Sequence, residues 1–65
     1  MTQQPNIRRC EKIAEVVMRM RKAGVSDEYR HMVLNLDVAD DQLPADEHVR
    51  TARREIRRLH QQYPH

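Results

Sequence analysis

Residues 44–63 read PADEHVRTARREIRRLHQQY. At helical pitch, about 100° per residue, the side chains of this stretch separate into two sets. Ala45, Val49, Ala52, Ile56, Leu59 and Tyr63 step by 4, 3, 4, 3 and 4 and share one narrow face. Arg50, Arg53, Arg54, Arg57 and Arg58 follow an i, i+3, i+4, i+7, i+8 pattern and are expected on the opposite face. Pro44 suits a first helical turn, where no N–H is needed. Asp46 and Glu47 complement the N-terminal dipole, and Pro64 stops the helix. The stretch predicts a helix with an apolar seam to pack and an arginine stripe to present.

Working upstream, residues 37–43 (DVADDQL) form an acidic connector in which Val38 and Leu43 are expected to turn inward. A second helix is predicted over residues 26–36, with Ser26 as N-cap, Asp27 and Glu28 at its dipole end, and an apolar stripe of Tyr29, Met32, Val33 and Leu36. A first helix is predicted over residues 6–23, capped by Asn6 and closed by Gly24, the only glycine, with Val25 behind it for the accompanying hydrophobic contact. Its apolar residues, Ile7, Cys10, Ile13, Ala14, Val16, Val17, Met18, Met20 and Ala23, fill a broad arc, which predicts packing on two neighbours. Residues 1–5 are polar and expected to fray. Nothing alternates with period two, so no strand is predicted. The expected fold is all-α and spans residues 1–65 as one domain. It is a small bundle or helical hairpin of two long amphipathic helices and a short middle one.

The chain has 65 residues, and 38% of them are hydrophobic, with no Phe or Trp. Domains of this size bury only about 60% of their unfolded surface, and one cysteine cannot close an internal disulfide. A homodimer is the simplest remaining support, and folding onto a larger partner is the other. The lone Cys10 fits a reducing compartment. The N-terminal sequence has no secretory signal, and no segment approaches the roughly 20 apolar residues of a membrane span. A cytoplasmic protein is expected, with no membrane association.

Net charge is only +2, but it is distributed in blocks of +4 over residues 1–26, −6 over 27–47 and +4 over 48–65. Such blocks pair within a chain, pair between subunits, or address different partners. The arginine stripe Arg50, Arg53, Arg54, Arg57 and Arg58 suits phosphates or an acidic protein surface. A plain solvated face, with Glu47 and Glu55 pairing nearby arginines, uses the same residues. No aromatics interleave the arginines, which argues against a base-stacking single-strand binder. RKAGVSDEYRHMVLNL has some helix-turn-helix character, but Asp27 and Glu28 would meet phosphate with the wrong sign.

The remaining chemistry is thin. The acidic loop lacks the glycine and ligand spacing of a calcium site, and the cysteine and four histidines lack zinc spacing. Cys10 is read as a small buried hydrophobe. So short a chain leaves little room for a substrate pocket and oxyanion donors around a Cys–His pair. No catalytic residue, metal or cofactor is assigned. The apolar middle helix, through Tyr29, Met32, Val33 and Leu36, is the expected dimer or partner contact. The preferred reading is a non-enzymatic helical regulator or adaptor that binds an acidic protein partner. The alternative is a nucleic-acid-associated regulator, DNA- or RNA-binding, that sets the arginine stripe on phosphates.

Overall fold

The computed structural model describes residues 5–64. Three helices, α1 (Pro5–Lys22), α2 (Asp27–Leu34) and α3 (Glu47–Gln62), are joined by a tight turn and by a connector containing a 3-10 turn at Asp40–Gln42. No strand occurs among the described residues. Of residues 1–5, expected to fray, 1–4 lie outside the described residues and Pro5 opens α1; the Asn6 side chain expected to cap α1 also lies outside them.

α1 ends as its glycine dictates. Gly24 sits at φ 84°, where a side chain is disfavoured. The Gly24 N–H donates to the Arg21 carbonyl at 3.1 Å and the Val25 N–H to the Met20 carbonyl at 3.0 Å. These two bonds form a Schellman motif, and the Val25 and Met20 side chains are both buried. Ser26 then caps α2, its hydroxyl accepting from the Tyr29 N–H at 3.3 Å.

α3 begins at Glu47, three residues later than Pro44. Asp46 is the N-cap, accepting from the His48 and Val49 N–H groups at 2.8 and 3.2 Å. Two orphan amides of the first turn are thereby satisfied. Asp46 thus caps α3 from outside it, and Ala45, expected on the seam, is left exposed before the helix.

The core joins Val16 and Met20 of α1, Val25, Val33 of α2, Leu43, and Val49, Ala52 and Ile56 of α3. Ile13, Val17, Met32, Val38 and Leu59 pack around it, half-buried. The apolar seam of α3 and the inward turn of Val38 and Leu43 match the sequence reading. Two polar clasps tie α1 to the middle of α3 and to the residue after its end. Arg19 pairs with Glu55 at 2.6 Å, and the Arg9 guanidinium donates to the Tyr63 carbonyl at 2.9 Å.

α1 does pack on both other helices, but they cover only part of its apolar arc. Cys10, expected inside, is exposed. Ile7, Ala14 and Met18 are exposed with it. The molecule is elongated, 42 × 23 × 15 Å, with a radius of gyration of 12.1 Å; a compact chain of this length is expected near about 10.7 Å.

Candidate binding surface

The arginines of α3 do not form one stripe. Arg53 is 2% exposed, the only buried charged side chain among the described residues. Its Nε donates to the Val33 carbonyl at 3.0 Å. Nη1 donates to the Val38 carbonyl at 2.6 Å and to Asp40 Oδ1 at 3.1 Å. Nη2 donates to the Met32 and Asn35 carbonyls at 2.6 and 3.0 Å. Each N–H of the guanidinium has a partner.

The physical reason lies at the end of α2. That helix stops at Leu34 without a glycine after it, and Asn35 is extended at φ −88°, ψ 101°. Its last carbonyls need donors and carry the negative end of the helix dipole. The Arg53 fork supplies both donors and charge. Arg53 is therefore a structural pin between α3, the end of α2 and the connector, and it leaves the candidate binding set. A hint was present in the spacing: at about 100° per residue, Arg53 lies only about 40° around the helix from Val49. It borders the seam instead of opposing it.

Asp40 reaches back over the same side of α3. Besides Arg53, its Oδ1 accepts from Arg57 Nε at 3.2 Å. The acidic connector thus folds over part of the basic face, which narrows the surface that either binding reading needs. Arg50, Arg54 and Arg58 remain, all exposed and with no ion pair among the described residues. Their i, i+4, i+8 spacing makes a row with about 6 Å between successive residues along the helix axis. A hollow of about 240 Å³ opens beside Arg50 and Arg54, with Leu43 and Asp40 on its other wall. Arg58 stands at the far end, over a cleft of about 330 Å³ between α1 and α3 that also holds Lys12, Glu15, Arg19 and Glu55.

The middle helix is less available than its sequence suggests. Val33 is wholly buried, and Met32 is half-buried on the core. These two of the four expected contact residues belong to the intramolecular core. Tyr29 and Leu36 stay 37% and 38% exposed, and Leu34, outside the expected stripe, is equally exposed. At the start of α2, Asp27 pairs with Arg30 at 2.9 Å and lies 3.4 Å from His31. The Arg30 hydrogen bond, with the His31 charge second, holds the Asp27 carboxyl below its ordinary value of 3.8.

Among the described residues, no three His, Cys, Asp or Glu side chains are grouped to hold a metal ion, and no helix is long and apolar enough to cross a membrane. No protein-family model, curated protein or solved structure matches this chain.

Proposed function

We propose that this chain is a small non-enzymatic adaptor or regulator, working as a homodimer in the cytoplasm, that docks an acidic protein surface on the outer row of α3. The observation that carries this reading is the row Arg50, Arg54 and Arg58. These guanidiniums are exposed and without ion pairs among the described residues, on a helix whose other two arginines are held by the fold. A buried pin at Arg53 and an Asp46 cap hold the row on a rigid helix, so little side-chain order beyond the arginines themselves is lost on binding. The exposed thiol of Cys10 fits a reducing compartment.

Phosphate is the weaker partner for this row. Affinity for a phosphate backbone grows with the number of cations that contact it, and each row offers only three. Asp40, beside Arg50 and Arg54, adds repulsion toward a dense polyanion.

The test is fluorescence anisotropy with three labelled probes at low and near-physiological salt: a Glu-rich helical peptide, duplex DNA and duplex RNA. The peptide should bind, and the variant Arg50→Glu/Arg54→Glu/Arg58→Glu should lose binding at least tenfold, roughly one weak ion pair per site, with unchanged circular dichroism. Tight DNA or RNA binding that falls steeply with salt, with none to the peptide, would replace this reading with the nucleic-acid one. Binding that survives the triple substitution would remove the row from either.

A further inference from the structure

The outer face of α1 is a second surface, separate from the arginine row. Ile7, Cys10, Ala14 and Met18 are spaced 3, 4 and 4 and exposed, Ile7 by 49% and Met18 by 51%. Half-buried Ile13 and Val17 join this stripe to the core residues Val16 and Met20. The apolar arc is thus continuous around α1, and the other helices of the chain cover only part of it.

Residue sizes along the stripe suit a second copy. Ala14 is small, and Met18, one turn further on, is long and adaptable. A groove of about 400 Å³ runs over Ala14 between Glu15, Met18, Arg19 and Lys22. When two α1 helices cross antiparallel with the two-fold axis between positions 14 and 18, each Met18 lies over the other copy's Ala14 and fills that hollow.

The charges select the same register. Glu11, Arg21 and Lys22 are exposed and have no ion pair among the described residues. With the axis placed there, Glu11 of each copy comes level with Arg21 and Lys22 of the other, once at each end. The pairing is isologous and closes on itself, so it stops at two chains. The thin core and elongated shape of the single chain give it a reason to form.

We infer that this protein forms an antiparallel homodimer through the outer face of α1, with Met18 seated on Ala14 and Glu11 facing Arg21 and Lys22 across the dyad. This places the contact on α1, not on the middle helix. It rests on the dimeric part of the proposed function and is independent of what the arginine row binds.

The experiment is sedimentation equilibrium of the full chain with Met18→Glu, Glu11→Lys and the charge exchange Glu11→Lys/Lys22→Glu, each checked by circular dichroism. Wild type should show twice the 7.8 kDa chain mass, and Met18→Glu a monomer with unchanged helicity. Glu11→Lys should weaken the dimer about tenfold, since each substitution reverses two contacts, and the exchange should restore part of that loss, because the introduced lysine then meets the introduced glutamate but still faces Arg21. Should Met18→Glu fail to fold, the exchange series still decides, because those positions are solvent-exposed charges. A wild type that is monomeric at every concentration would overturn both this contact and the dimeric reading. A dimer indifferent to Met18→Glu and to the charge series would overturn this contact alone and leave the dimeric reading standing. A dimer rapidly and fully locked by oxidation of Cys10 would also overturn the register, which holds the two thiols apart by roughly 18 Å along the helix axes.

Discussion

Arg53 shows how one residue type serves two purposes on one helix. Arg54, its immediate neighbour, is exposed, and Arg53 is buried with five hydrogen bonds. Burying a charge is costly unless its partners are complete. Here four carbonyls at the end of α2 and in the connector, with Asp40, complete them. Arg53→Ala would leave the Met32, Val33 and Val38 carbonyls without that donor, and we expect a loss of about 3 kcal/mol. Arg53→Lys cannot reproduce the planar fork and should cost about 2 kcal/mol, whereas Arg54→Lys should change stability by under about 0.5 kcal/mol. Chemical denaturation of the three variants measures the differences. Equal effects at positions 53 and 54 would contradict the pin.

At the scale of elements, α2 is the dependent one. It has eight residues, too few to be stable alone in water. Its start is held locally by Ser26 and by the Asp27–Arg30 pair, its end by α3 through Arg53. An exposed pair such as Asp27–Arg30 adds little stability, but its sign is defined. A carboxyl held below its ordinary value stabilises the folded form above that value, and the contribution fades as pH falls through the folded pKa. In an NMR pH titration Asp27 should show its midpoint below 3.8, and Arg30→Gln should move it upward. No movement in that variant would assign the shift to His31 instead. α1 and α3 have 18 and 16 residues against eight, so amide exchange should be fastest in α2 among the helices.

At the scale of the molecule, two surfaces lie on different helices: guanidiniums on α3 and an apolar stripe on α1. In the inferred dimer this separation would present two arginine rows at once, and a partner with two acidic sites would gain avidity from it. The inferred self-association would also stabilise by mass action, because it requires the folded chain. The midpoint of thermal unfolding should therefore rise with protein concentration in wild type and stay constant in Met18→Glu. Differential scanning calorimetry across a hundredfold concentration range checks this.

Much of the fold is legible in the letters. The seam of α3, the Gly24 stop and the Ser26 cap are local, set by hydrophobic period, positive φ and a short polar side chain within a few residues. The all-helical class follows from them. Boundaries moved where two local rules competed, as at Asp46, whose capping bonds prevailed over Pro44 as a starting point. The candidate surface was legible only in part: five arginines at helical spacing are visible, but which of them solvent keeps depends on what packs beside α3. That depends on where α2 ends and how the connector returns. The same holds for Cys10, Met32 and Val33, whose burial is decided by neighbours distant in sequence. Period and capping act through a few adjacent residues, so the chain's own order determines them. Burial and charge pairing act through space, so only the tertiary structure decided that Arg53 is a pin, that Asp40 screens Arg57, and that α1 keeps an uncovered face.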